Sequence, residues 1–369
     1  MMKRLTALLL LLSLLQMTAA SAELVPVVPE EVPTELEETE LLEDEPGEAP
    51  AAETLPQTPA VEATVETLDN GAIRVTTEDG SWPQLNAQGF LDEGEFVYEN
   101  TTDGIWRYCS ATLKVEILRK TTDTPRLERW YEAEVWSISE VWDTAENIKG
   151  KHFSSTAYPK DVCTKRGCVL AVNGDYAATR WPWTKKSSKR NMVGILIRDG
   201  KIYNTYTKNA DYKGFPNLDT LALFPDGDMQ VFDSNEKTAQ EYIDMGATDV
   251  FAFGPYLIRD GEINETAVNY FETRNAPRTV IGMIEKGHYM AIVMEGRVKT
   301  SNGASLKEMA QLLKDRGCTV GFNFDGGHTS CMMFMGKQIN SVKDFVRKGA
   351  EFVAIGTSAL VEGYDPDAE

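Results

Sequence analysis

V-G-I-L-I-R-D-G-K-I-Y, residues 193–203, places two apolar runs on either side of Asp199-Gly200. An Asp-Gly pair supplies the left-handed backbone positions that a two-residue hairpin turn requires, so the stretch reads as two antiparallel strands. The same grammar recurs on both sides of it. Residues 221–232 turn at P-D-G-D, 251–263 at R-D-G-E and 280–294 at Glu285 to His288, and a fifth hairpin turns at Gly336-Lys337. Upstream, 113–118 and 130–138 alternate apolar and polar residues, 167–173 is a short apolar strand, and 352–360 is a last one. Helices are few. One spans 235–246; another spans 305–317, where Ser305 and Glu308 stand at capping-box spacing ahead of apolar residues at 306, 309, 310, 312 and 313. Many hairpins and no strict strand-helix alternation predict an α+β fold: antiparallel or mixed β-sheets with a few helices packed on them.

The first 67 residues read differently. Residues 1–22 carry Lys3 and Arg4, a Leu-rich run at 8–15 and Ala20-Ser21-Ala22, the pattern of a cleavable secretory signal. Residues 23–67 hold fourteen Asp and Glu, no Lys or Arg and no aromatic residue, too little apolar surface to fold. They read as a disordered, acidic, Pro-rich linker that spaces a domain from a cell surface. The expected organisation is signal 1–22, linker 23–67, an N-terminal edge segment 68–104 and one domain over 105–362. Of a formal net charge of −20, the signal contributes +2 and the linker −14, leaving −8 on the rest. With no basic stripe to neutralise phosphates, a nucleic-acid partner is disfavoured. Five cysteines leave at least one thiol outside any intrachain pair, and a bond between Cys163 and Cys168 would close a short loop. Three scattered histidines, His152, His288 and His328, give no metal-ligand spacing, so neither metal nor cofactor is expected.

The densest chemistry lies at 321–330, G-F-N-F-D-G-G-H-T-S. A buried strand there delivers Asn323 and Asp325 to its C-terminal end, and paired glycines at Gly326 and Gly327 let a ligand approach the backbone. The same residues suit a strand-turn capped by an Asx interaction. Asn173-Gly174-Asp175-Tyr176 repeats the arrangement after another apolar strand. Arg278 directly precedes a buried strand, and Glu295-Gly296-Arg297 ends its partner. Each group alone fits a solvated turn; four at Gly-flanked strand ends fit a site on the rim of a sheet.

Taken in order, residues 173–176, 194–199, F-G-P-Y-L-I-R-D-G at 253–261, P-R-T-V-I-G at 277–282, E-G-R at 295–297, S-L-K-E-M-A-Q-L-L at 305–313 and N-F-D-G-G-H-T-S at 323–330 resemble the phosphodiester glycosidase domain over about residues 130–360. Asp175, Glu295 and His328 depart from the usual pattern of that family. The resemblance implies an exported hydrolase that cuts the anomeric bond of a sugar-1-phosphodiester, an N-acetylhexosamine-like sugar on a glycan or cell-surface phosphodiester. It implies Asp325, Glu295 and Asp175 as catalytic carboxylates. Asn173, Arg278, Arg297, Asn323, Gly326, Gly327, His328, Thr329 and Ser330 would bind substrate. The chemistry is coherent: Asp325, with Glu295 as the second carboxylate, stabilises an oxocarbenium-like state while the planar guanidinium of Arg278 holds the departing phosphate. The alternative is a cell-wall or polysaccharide-binding module on the same fold that lacks turnover.

Overall fold

The computed structural model describes residues 62–146, 156–174, 194–207, 217–270, 273–344, 346–349, 351–364 and 366. Strands dominate. In chain order they are β1 Ala63–Thr67, β2 Ile73–Thr77, β3 Glu95–Asn100, β4 Ile105–Cys109, β5 Leu113–Thr122, β6 Glu128–Ser137 and β7 Asp143–Glu146, followed by helix α1 Pro159–Lys165. Next come β8 Cys168–Asn173, β9 Ile195–Arg198, β10 Lys201–Thr205, β11 Asp219–Leu223, β12 Met229–Phe232, helix α2 Ala239–Asp244, β13 Asp249–Phe253, β14 Tyr256–Arg259, β15 Glu262–Ile263 and helix α3 Glu265–Tyr270. The remainder is β16 Arg278–Glu285, β17 His288–Met294, helix α4 Leu306–Asp315, β18 Val320–Asn323, β19 Met332–Phe334, β20 Lys337–Gln338 and β21 Glu351–Thr357.

All five expected hairpins form. They are β9–β10, β11–β12, β14–β15, β16–β17 and β19–β20, each antiparallel. At two of them the Asp as well as the Gly takes positive φ, Asp199 at 48° with Gly200 at 66° and Asp260 at 53° with Gly261 at 77°. Three sheets result. The largest has eleven strands in the order β1-β2-β3-β4-β5-β6-β17-β16-β18-β14-β15; the others are β10-β9-β13-β11-β12 and β20-β19-β8-β21-β7. Among the described strands only β2 and β3 pair in parallel. The fold is therefore α+β, built on antiparallel and mixed sheets.

One core joins the three sheets. Val115, Ile117, Val135, Val293 and Phe322 of the large sheet meet Leu221 and Phe251 of the second and Val172 and Val353 of the third, all fully buried. The opposite face of β16 and β17 takes α4. Ser305 and Glu308 close its N-terminus as a reciprocal capping box, and Leu306, Met309, Ala310 and Leu313, spaced i, i+3, i+4, i+7, point inward at 0% exposure. Burying each Leu or Met there contributes roughly 1.5–3 kcal/mol. Gly282 and Gly321 stand opposite one another on β16 and β18 and leave the hollow that Leu313 fills. A Cβ on Gly321 would come within 2.9 Å of that leucine.

Two expectations change. The acidic stretch, read as unpaired through Thr67, gives up residues 63–67, which pair with β2 because Asn70 and Gly71 build a turn between them. Residues 1–22, read as a signal, and residues 23–61 of the expected linker lie outside the described residues. Cys163 and Cys168 are thiols, not a disulfide. Both, with Cys331, serve as small apolar packing in the cluster where α1 meets the third sheet. Among the described residues no helix is long and apolar enough to cross a membrane.

Candidate active site

Strand register brings the predicted residues to one end of the large sheet. Arg278 opens β16 opposite Met294, the residue before Glu295, and Val280 lies opposite Asn323. Phe324 then donates its amide to the Thr279 carbonyl (2.9 Å), and Gly327 donates to that of Pro277 (3.1 Å). The Asp325-Gly326-Gly327 turn is thereby laced along the start of β16, where it enters a 3-10 turn at Gly327–Thr329. Gly326 must be glycine for this. A Cβ there would sit 2.6 Å from the Pro277 carbonyl oxygen.

The third sheet reaches the same place through Asn173, which is 1% exposed. Its Nδ2 donates to the carbonyls of Asp325 (2.8 Å) and Gly174 (3.2 Å), and its Oδ1 accepts from Thr279 Oγ1 (2.7 Å) and the Cys331 amide (3.0 Å). Four bonds fill the capacity of an amide side chain. Asn173 was expected to bind substrate; its geometry instead makes it the latch that fixes the Asp325 turn. Asp175 lies outside the described residues.

Two arginines bracket the turn. Arg278 is 4% exposed, with Nε donating to the Ala304 carbonyl (3.1 Å) and Nη2 to that of Arg274 (2.7 Å). Much of its fork is thus engaged in pinning loops. Arg297 is exposed, holds a left-handed φ of 60° and makes no hydrogen bond or ion pair with another described residue. Its Nη1 lies 3.4 Å from where a Gly327 Cβ would be. Non-glycine residues take that conformation at a cost of about 1 kcal/mol or more, and such strain gathers at functional sites.

Glu295 is 1% exposed and faces away from Arg278. Met294 packs under α4, so alternation turns Glu295 toward the main core beside Tyr131. Its Oε1 accepts from the Ser341 amide (2.6 Å). Burial raises its pKa, opposed by the Ser341 amide and by the charge of Arg129. In turn burial and the neighbouring Glu295 push the Tyr131 phenol up to about 12. Asn323 is also separate: its Nδ2 donates to the Gly254 carbonyl (2.9 Å), clamping the F-G-P-Y turn. His328 is partly exposed with Nε2 3.9 Å from Asp344 Oδ2, Thr329 accepts from Arg347 Nη1 (3.3 Å), and the Ser330 carbonyl accepts from Asn340 Nδ2 (3.1 Å). Among the described residues no three His, Cys, Asp or Glu side chains gather where they could hold a metal ion.

Against known proteins, the family model described as phosphodiester glycosidase matches residues 166–356. The chain belongs to the phosphodiester glycosidase family. A Bacillus subtilis (strain 168) relative, the SPbeta prophage-derived uncharacterized protein YomE, is 30% identical over 186 residues, 50% of this chain and 27% of its own. The chain thus spans little more than a quarter of that relative. The catalytic domain of zebrafish N-acetylglucosamine-1-phosphodiester alpha-N-acetylglucosaminidase, auto-inhibited by its pro-peptide, is similar in fold, with a TM-score of 0.52 and 16% identity over 74% of this chain and 91% of that one. A hypothetical protein from Synechocystis gives a TM-score of 0.46 at 12% identity over 80% of this chain and 68% of its own.

Within this phosphodiester glycosidase domain, the sequence set Thr279 beside Arg278 at the mouth of a buried strand but gave no sign of Tyr131 or Ser341. Tyr131 looks like any strand residue, and Ser341 acts through its backbone amide, which no residue type reveals.

Proposed function

We propose that this chain hydrolyses the anomeric bond of a sugar-1-phosphodiester, with an N-acetylhexosamine-like sugar, outside the cytoplasm. What carries this reading is the company of Asp325. A carboxylate-bearing turn stands between a buried arginine and an exposed one whose guanidinium is held beside Gly327 by a strained backbone. Arg297 is the cation available to a phosphate, and its planar fork matches two phosphate oxygens. Phosphate leaves readily, so charge stabilisation at the departing oxygen does much of what a strong acid does for an ordinary glycoside. Asp325 stabilises or traps the oxocarbenium-like centre. Arg278, pinned by the Ala304 and Arg274 carbonyls, adds positive potential beside the turn. Glu295 lies on the core side, tied to the 341 loop and protonated to higher pH than an exposed glutamate.

Hydrolysis of a panel of sugar-1-phosphodiesters in ¹⁸O-labelled water tests this. Cleavage at the anomeric carbon puts the label in the sugar and releases an unlabelled phosphate monoester. Label in the phosphate would place the cut at the P–O bond and overturn the assignment. Tight binding across the panel without turnover would favour the non-catalytic module.

A further inference from the structure

A buried ion pair lies behind Asp325, and nothing in the proposed chemistry uses it. Arg198 ends β9 in the second sheet and Glu351 begins β21 in the third; each side chain is 1% exposed. Arg198 Nη2 and Nε approach Glu351 Oε2 at 2.7 and 3.0 Å. Nη1 also donates to the carbonyls of Ile197 (2.6 Å) and Val250 (2.7 Å), and the guanidinium lies 3.8 Å from the Phe251 ring centre. The pair therefore locks one sheet to the other at a fixed distance and angle.

Two routes lead from it to Asp325. The Glu351 carbonyl accepts the Gly174 amide, and the Gly174 carbonyl accepts the Asp325 amide, each at 3.4 Å. Gly174 is seated so closely that a Cβ would come 2.9 Å from Glu351 Cγ and 3.4 Å from Phe251. The second route is aromatic: Phe251 meets Phe324, the residue before Asp325, edge to face at 5.4 Å. Apolar residues of similar volume commonly replace a buried ion pair at no loss of stability, so burial alone gives no reason for charges here. What a fork provides and a methyl cannot is direction.

We propose that Arg198 and Glu351 are positioning residues that set the place of Asp325 through Gly174 and Phe251. As a contribution to catalysis this rests on the hydrolase reading above; as a structural coupling it stands apart from it. Hydrogen exchange followed by mass spectrometry tests the coupling without any substrate. In Glu351→Gln, amides over residues 322–331 should exchange at least tenfold faster than in wild type, while those of β4 and β5 keep wild-type rates. Should that variant fail to fold, the double variant R198M/E351M removes both charges together and should give the same local acceleration. Unchanged exchange over 322–331 in a folded variant overturns the inference, as does an equal acceleration everywhere. Kinetics on an activated sugar-1-phosphodiester supply the second readout: kcat per folded molecule down about tenfold at constant KM in E351Q, with Arg198→Lys retaining more kcat than Arg198→Met. Wild-type kcat in a folded E351Q would refute the catalytic part. If wild type itself turns nothing over while 322–331 still loosens in the variant, the functional reading fails and the coupling survives.

Discussion

Replacing Gly326 with alanine isolates position from chemistry, because it adds one methyl and neither adds nor removes a charged group. The backbone at Gly326, φ −107° and ψ −161°, is one any residue adopts, so the effect is purely steric. The new Cβ would lie 2.6 Å from the Pro277 carbonyl oxygen and must retreat about 0.4 Å to reach 3.0 Å, about 0.8 Å for ordinary contact at 3.4 Å. Pro277 cannot yield easily, since Ala276 beside it pairs with Ala304 and its own carbonyl accepts the Gly327 amide. The turn moves instead. Overpacking of this kind costs about 1–3 kcal/mol, and a displacement approaching 1 Å at a reacting group costs on the order of 100-fold in rate. We expect Gly326→Ala to lose tenfold or more in kcat on an activated sugar-1-phosphodiester, with the melting temperature a few degrees lower by circular dichroism. Gly261→Ala is the control: φ is 77° and nothing lies within 4 Å of its Cβ position, so it should lose about 1 kcal/mol to backbone strain and nothing in kcat. Wild-type kcat in Gly326→Ala, or an equal loss in the control, would refute the reasoning.

Asp325→Asn should abolish hydrolysis while circular dichroism and melting stay near wild type; retained turnover removes Asp325 from the chemistry. Arg297→Gly should melt no lower than wild type, because glycine relieves about 1 kcal/mol of left-handed strain, yet lose most of its turnover; a variant that keeps full activity assigns the phosphate elsewhere. Burial raises the pKa of Glu295 above its ordinary 4.5, so stability from its retained proton is full below that value and drains as pH rises through the folded pKa. Urea midpoints of Glu295→Gln should therefore gain on wild type between pH 4.5 and neutrality, and parallel curves would contradict the assignment. Burial pushes the thiols of Cys109 up to about 11 and of Cys318 and Cys331 up to about 12, with Cys163 well above its ordinary value. Iodoacetamide at pH 8 should add no mass to the folded chain and five adducts after denaturation; rapid native labelling would show that the thiols are accessible.

What could be read in the sequence was whatever a local pattern decides. Asp-Gly turns, the Ser305 capping box and the i, i+3, i+4, i+7 spacing of α4 are settled within a dozen residues, and all appear in the fold. The D-G-G and E-G-R stretches could be placed at strand ends for the same reason. Which face each side chain takes was not legible. Arg278 and Glu295 follow from one-residue differences in register between β16 and β17, and that register is fixed by packing against α4 on one side and Tyr131 on the other. Asn173 shows the commonest limit: an amide at a strand end has the same letter whether it meets a ligand or locks a neighbouring turn. Tertiary pairs such as Arg198 with Glu351 lie 153 positions apart and leave no trace in either local pattern.

The seam between β6 and β17 has a practical consequence for anyone trimming this chain. Seven residues of β17, His288 to Met294, are zipped to β6 from Trp136 to Trp130, yet β6 lies wholly before residue 166, where the family match begins. Expressing only the matched region would strip one side of the strand that leads into Glu295 and present its unpaired amides and carbonyls to solvent. Bare edges of that length recruit other chains. The span that defines kinship is thus shorter than the span that must be synthesised together, and a soluble fragment should begin ahead of β3.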